Sequence, residues 1–334
     1  MSQNPRFKQT SGMQIPRFAG VPTFMRLPVI DLDNELAAEV DIGLIGIPWD
    51  GGTTNRPGAR HGPRQLRDAS TMIRAAHPRT GIKPFEMTNC ADLGDCPVNP
   101  ASIDDTLERV TTFYKQLRKL NIAPVTAGGD HLISLPVLRG IAGDTPLGMI
   151  HIDAHTDLFD KYYGDFIYTH GTPFRRAIEE GLLDPKRVVQ IGIRGSRYDN
   201  ADINWGRQQG VRIFTIDDVY ERGLADIMES ARQAVGDAPT YVSFDIDAID
   251  PAFAPGTGTP EIGGFTSYEA QLIVRHLAGL NLVGADLVEV SPPYDPAGGT
   301  ALVGVSIMFE LLCVLAPAVA GRHASVSQSE EQTE

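Results

Sequence analysis

The sequence predicts a three-layer α/β/α fold on a mostly parallel sheet of about eight strands. Two observations carry that prediction. Short runs that are apolar on both faces alternate with segments of helical spacing, which is the pattern of a parallel sheet covered on both sides. The unusual polar residues fall at the carboxyl ends of these runs, where open α/β sheets bind their ligands.

Taken in order, residues 1–40 are rich in Pro, Gly and polar residues and read as an irregular arm whose apolar islands, Phe18 and the stretch PTFMRLPVI, need burial on the domain or on a neighbouring subunit. Asp41 to Pro48 is the first buried strand, followed by a loop punctuated by Gly, Asn and Pro and a helix opening near Pro63. Asp104 to Leu120 places Leu107, Val110, Phe113, Leu117 and Leu120 at helical spacing. The stretch NIAPVTAGGDH then makes a strand that runs into a glycine turn and His131. Further strands are expected at Leu147 to Asp153, Arg187 to Ile193, Val211 to Ile216, Thr240 to Asp247 and Leu282 to Val290. Helices fall between and after them at Gly171 to Gly181, Asp217 to Val235, Ser267 to Leu280 and Gly304 to Leu315. Thr266, three residues before Glu269, makes a capping box for the third of these. The reading is a single catalytic domain over 41–318, with 319–334 a polar tail without fixed structure.

A net charge of −13 argues against nucleic acid or an anionic membrane as partner. No apolar run approaches the length of a membrane span, and the N-terminal stretch lacks the apolar core of a signal peptide. Cys90, Cys96 and Cys313 form neither a CxxC pair nor an even framework, which points to a reducing, cytoplasmic setting, although a Cys90–Cys96 bridge is conceivable.

The chemistry concentrates in Leu147 to Asp157, LGMIHIDAHTD, where an apolar strand delivers Asp153, His155 and Asp157 at alternate positions and hence on one face. His131 follows another strand, Asp245 and Asp247 a third, and Glu289 closes a fourth. Buried carboxylates are unfavourable without neutralising charge. Each residue alone has a bland reading, His131 as a structural histidine after a turn and Asp247 as a cap. Together, four Asp and two His without a thiolate suit a pair of divalent ions such as Mn, Ni, Co or Fe better than a structural zinc. Two-metal sites hold their ions roughly 3.5–4 Å apart and lower the pKa of bound water towards neutrality.

The motifs GGDH (Gly128 to His131), DAHTD (Asp153 to Asp157), SFDIDAIDPAFAPGTGTPEIGG (Ser243 to Gly264) and EVSPPYD (Glu289 to Asp295) resemble the ureohydrolase family of arginases and agmatinases over roughly residues 15–318. Gly46 to Arg64 and Tyr168 to Pro185 look most like its bacterial guanidino-acid hydrolases, the guanidinopropionases among them. The resemblance implies a centre of two divalent ions, Mn2+ with Ni2+ as the alternative, release of urea from a small guanidino substrate, and a homo-oligomer, hexamer or trimer, which a related second subunit could join. Carried over residue by residue, His131 and Asp157 bind the first ion, Asp153 and Asp245 bridge both, and His155 and Asp247 complete the second. His170, in HGTPF, is the acid or proton shuttle, and Glu289 holds the guanidinium. A bland reading of His170 is a turn before Thr-Pro. His151 is read as core or as support for the ligands, its side chain facing away by one residue; His61 as pocket or loop; and His77, His276 and His323 as surface or packing residues.

The sequence departs from the family pattern just after DAHTD. Members that act on amino or guanidino acids usually carry a polar residue, often Asn, where this chain has Phe159 beside Leu158. One reading is a guanidine with an apolar substituent, such as an N-alkylguanidine or a biguanide of the metformin type. The other packs both side chains inward while Asp160, Tyr162 or Tyr163 serves the polar tail of a guanidino acid such as 3-guanidinopropionate. Agmatine remains a further substrate; Arg56, Arg60 and Arg64 are candidates to pair with a substrate carboxylate, with solvated or structural arginines as the default expectation. A non-catalytic partner subunit would have lost ligands that are intact here, and a deacetylase on a related fold would lack the second metal set together with EVSPP.

Overall fold

The structure is a computed structural model that describes residues 4–331, with side chains described over 4–322. Eight strands form one sheet: β1 (Ile42–Ile47), β2 (Cys90–Asp95), β3 (Ala123–Gly128), β4 (Leu147–Ile152), β5 (Leu183–Ile193), β6 (Arg212–Thr215), β7 (Thr240–Asp245) and β8 (Leu282–Val288). Their order is β2-β1-β3-β8-β7-β4-β5-β6, with every neighbouring pair parallel. The chain lays down β3, crosses to β4, and later fills the gap with β7 and β8. The four strands whose ends carry the chemical residues, β3, β8, β7 and β4, therefore lie side by side at the centre.

Alternation along the strands feeds two apolar layers. Ile42, Leu44, Ile150, Ile152, Val242 and Phe244 pack on one face with the helices Leu224–Val235, Ser267–Arg275 and Gly299–Glu331. Ile45, Ile47, Met149 and Tyr241 pack on the other with the helices Ile103–Lys119, Ser134–Ile141 and Pro173–Glu179. The Thr266–Glu269 capping box forms as the sequence predicts. Ser134–Ile141 and β2 were not expected. The former is apolar almost all round, so it has no periodicity to read. The latter is a short edge strand with two acids.

Several expectations are corrected. Asp217 to Val235 is two helices, Ile216–Arg222 and Leu224–Val235, divided at Gly223, whose φ of 88° a helix cannot continue. The last helix is much longer than Gly304 to Leu315, and the polar stretch expected to lack structure continues it to Glu331. Residues 332–334 lie outside the described residues, as does the side chain of His323. Gly299–Arg322 is long and apolar enough to cross a membrane by length and composition, against the expectation that no run reaches that length. It is mostly buried against the sheet, and Ala301, Val305, Met308 and Leu312 are fully covered. All three cysteines are free and buried. The arm packs on its own domain through Phe7, Phe24 and Met25, while Phe18, at 94% exposure, does not.

Candidate metal centre and active-site cavity

Four strand ends converge because the chain turns sharply after each. Gly129 lies so close to β1 that a Cβ there would stand 2.3 Å from the Trp49 carbonyl oxygen, and its own carbonyl accepts the Glu289 N–H at 2.8 Å. Only glycine lets the ends of β1, β3 and β8 meet. Asp157 and Glu289 both have positive φ, 52° and 64°. For such residues that conformation is uncommon and costs about 1–3 kcal/mol. Both side chains line the cavity.

The predicted ligands form two adjoining groups. His131 Nδ1 is ringed by Asp157 Oδ2 at 3.0 Å and by Asp153 Oδ2 and Asp245 Oδ2 at 3.1 Å each. His155 Nδ1 lies 3.1 Å from Asp247 Oδ2 and 3.4 Å from Asp153 Oδ1. Asp153 thus turns one oxygen to each group. Asp245 joins them differently, its Oδ2 facing His131 and its Oδ1 accepting the Asp247 N–H at 2.8 Å. Burial and the facing carboxylates Asp247 and Asp153 push the Asp245 carboxyl well up, and burial with Asp153 raises Asp247 to about 6.

Beneath this cluster runs a polar row that sequence reasoning missed. Pairing register aligns Thr126, Asp286, Ser243, His151 and Gln190 across β3, β8, β7, β4 and β5. Asp286 accepts from Ser243 (2.6 Å), Ser134 (2.7 Å) and Tyr241 (3.0 Å). Ser243 gives its only hydroxyl proton to Asp286, so its oxygen accepts from His131 Nε2–H at 2.8 Å. That fixes the tautomer and leaves a lone pair on Nδ1, facing three carboxylates, with no hydrogen-bond partner. A buried lone pair aimed at three anions is repulsive unless a cation lies among them. The donor set therefore fits a divalent ion; where none is bound, the same carboxylates favour a proton on His131, raising its pKa well above the usual value against the opposing effect of burial.

His151 has the supporting role that was one of its two readings, and only the direction of its side chain is corrected. Positions 151 and 153 share strand parity, so its side chain faces the cluster, and Nε2 lies 2.7 Å from Asp153 Oδ2. The Gln190 amide donates to its Nδ1 at 3.0 Å, which places the imidazole proton on Nε2 and makes His151 a support for Asp153.

His170 and Glu289 form the other half of the site. His170 Nδ1 lies 2.9 Å from Glu289 Oε1, which also accepts the His131 N–H at 2.9 Å. His170 Nε2 lies 2.8 Å from Thr54 Oγ1 and 3.2 Å from Thr54 N. Burial lowers the His170 pKa, but the Glu289 charge and hydrogen bond outweigh it and bring it to about 9.

His155, Asp157, Asp245, Asp247, His170 and Glu289 line a cavity of about 970 Å³. Phe159 lines it, its ring 5.3 Å from that of Tyr162, whereas Leu158 is fully buried in the core. The two residues expected to act together thus have separate roles. Arg56, Arg60, Arg64 and His61 do not line the cavity: Arg56 stacks on Tyr294 at 3.9 Å and Arg60 pairs with Asp50. The basic residues that do line it are Lys161, Arg175, Arg194 and Arg197. His77 is buried and bonded to Glu310 at 3.0 Å, a packing role.

A model of the arginase family matches residues 40–313. The chain is 57% identical over 307 residues to guanidinopropionase of Pseudomonas aeruginosa, covering 92% of this chain and 95% of that protein. It is 47% identical over 305 residues to guanidinobutyrase of the same organism, covering 91% and 95%. Among solved structures, proclavaminate amidino hydrolase from Streptomyces clavuligerus is 41% identical with a TM-score of 0.85, covering 91% of this chain and 99% of that one.

Proposed function

The chain belongs to the arginase family, and from that membership we propose that it is a metal-dependent ureohydrolase that cleaves a guanidino acid, 3-guanidinopropionate foremost, to urea and an amine. The observation that carries this reading is the lone pair of His131 Nδ1, held towards Asp153, Asp157 and Asp245 beside a carboxylate–histidine pair in one cavity. The catalytic unit is 41–318.

His131, Asp153, Asp157 and Asp245 would hold one ion and Asp153, Asp245, His155 and Asp247 the other, Mn2+ first and Ni2+ as the alternative. Bound there, the ions supply positive charge that activates water at neutral pH. The remaining steps belong to side chains. Glu289 spends Oε1 on His170 and the His131 N–H, and its Oε2, without a hydrogen bond among the described residues, is the acceptor for a guanidinium N–H. Water adds to the guanidinium carbon and gives up a proton, the substituted nitrogen gains one, and the bond between carbon and that nitrogen breaks with its electron pair going to nitrogen, so a neutral amine leaves and urea remains. His170 is the group that passes on that proton: its Nδ1–H donates to Glu289 Oε1, and Nε2, the acceptor of the Thr54 N–H in this structure, is the lone pair that takes up a proton and returns it to the amine.

A second reading rests on Phe159. Its ring and that of Tyr162 give the cavity an apolar wall suited to an N-alkylguanidine or a biguanide. The exposed apolar residues Met13, Phe18 and Val21 of the arm support assembly into a homo-oligomer, hexamer or trimer, and three free thiols support a cytoplasmic location.

Urea release is the test, with 3-guanidinopropionate, 4-guanidinobutyrate, agmatine, arginine, N-alkylguanidines and metformin, each with Mn2+ and with Ni2+. Preference for the guanidino acids is expected. Preference for alkylguanidines or metformin selects the second reading, and no urea from any compound rejects both.

A further inference from the structure

Of the four basic side chains lining the cavity, three are already engaged. Lys161 pairs with Asp165 at 2.6 Å. Arg175 pairs with Glu179 at 3.0 Å and Asp160 at 3.3 Å, and lies over the Trp205 ring at 4.6 Å. Arg194 is buried and spreads its donors over the backbone carbonyls of Gly192, Asp247, Ala248, Glu261 and Ile262. Arg197 differs. It has no ion pair or hydrogen bond with the described residues, and its Nη1 is buried without a partner.

A guanidinium N–H withdrawn from water and given no acceptor is unfavourable, and such groups in native sites mark a missing partner. The rest of the cavity wall is rich in carboxylates, among them Asp157, Asp202, Asp247, Glu261 and Glu289. Among the basic side chains of the wall, Arg197 is the one whose donors a substrate anion would find without a partner among the described residues. The planar fork of arginine matches a carboxylate in two parallel hydrogen bonds, which a surface lysine does not. Arg197 lies on the segment joining β5 to the helix Ala201–Gln209, a different segment from the one that carries Phe159 and Tyr162.

We propose that Arg197 is the specificity-determining residue that receives the carboxylate of a guanidino acid whose guanidinium rests on Glu289. The proposal rests on the guanidine-hydrolase reading above and narrows it to substrates with an anionic tail. The apolar wall of Phe159 and Tyr162 then lies along the methylene chain between the two charged ends, so an apolar lining and an acidic substrate are compatible.

The experiment compares metal-loaded wild type with Arg197→Gln, Arg197→Lys and Arg197→Glu. Substrates are 3-guanidinopropionate, uncharged-tail propylguanidine and cationic-tail agmatine, with propylguanidine also measured as an inhibitor. Arg197→Gln is expected to raise KM for 3-guanidinopropionate about 10- to 100-fold, with kcat changed far less. KM or the inhibition constant for propylguanidine stays within about 2-fold, Arg197→Lys recovers part of the loss, and Arg197→Glu shifts preference towards agmatine. An equal loss for the acid and the uncharged compound, or an unchanged KM for the acid, overturns the role of Arg197 and leaves the hydrolase reading standing. Absence of urea from every substrate with wild type overturns both.

Discussion

Glu289 Oε1 binds His170 Nδ1 at 2.9 Å and the His131 backbone N–H at 2.9 Å, so one carboxylate oxygen joins the His170 imidazole to the cluster around His131. Glu289→Gln keeps the volume and removes the charge. The variant is expected to retain both ions, because no Glu289 oxygen faces the cluster, while kcat/KM falls about 10²- to 10³-fold. Metal content by atomic spectroscopy and urea release check the two halves, and turnover near wild type would dismiss the guanidinium-holding role.

The same contact makes stability depend on pH. Burial alone would lower the His170 pKa, yet Glu289 raises it to about 9, above the unfolded value of about 6.5. A folded value above the unfolded one means the stabilisation is complete below about pH 6.5 and disappears as pH rises through about 9. The shift corresponds to on the order of 3 kcal/mol. In the metal-free protein, His170→Asn should lower the unfolding free energy by about that amount at pH 6 and by much less at pH 10. Denaturant titrations at both values test this, and a pH-independent difference would contradict it.

Ser243 and Asp286 act on His131 from behind. Removing the serine hydroxyl or the Asp286 charge frees the imidazole to flip its tautomer and place a proton on Nδ1. Ser243→Ala and Asp286→Asn are each expected to weaken metal binding about 10- to 100-fold without altering any direct ligand. Metal titration followed by calorimetry reads the change; wild-type affinity in both variants would show that the row does not orient His131.

The clustering of these Asp and His side chains was legible because carboxylates at the ends of apolar strands have no packing rationale, and because those strands prove to be the four central ones. The supporting row was not, since Ser243, His151 and Gln190 become neighbours only through register between strands distant in sequence. A signal was nonetheless present in Asp286, a carboxylate in the middle of the apolar β8. Leu158 and Phe159 were treated together, whereas the chain turns at Asp157, where φ is positive, and Leu158 is buried in the core as one reading had it while Phe159 lines the cavity. Of the arginines of the first loop, Arg60 and Arg56 follow the default expectation of a structural role, held by Asp50 and by the Tyr294 ring, and not the alternative of pairing with a substrate.

Asp153 is the one carboxylate whose two oxygens face the two histidines of the cluster separately, Oδ2 towards His131 at 3.1 Å and Oδ1 towards His155 at 3.4 Å. His151 and the His155 backbone N–H hold it there, donating to Oδ2 at 2.7 Å and to Oδ1 at 2.6 Å. On the proposed assignment, truncating it would remove a ligand from both ions at once, whereas truncating His155 would remove one from the second ion alone. Asp153→Ala is therefore expected to bind at most one ion per chain, weakly, and to lose urea release entirely. His155→Ala should keep the first ion near wild-type affinity. Circular dichroism confirms the fold while metal content is counted. Two tightly held ions in Asp153→Ala would mean that the groups around His131 and His155 fill independently, and the shared carboxylate would have to be abandoned.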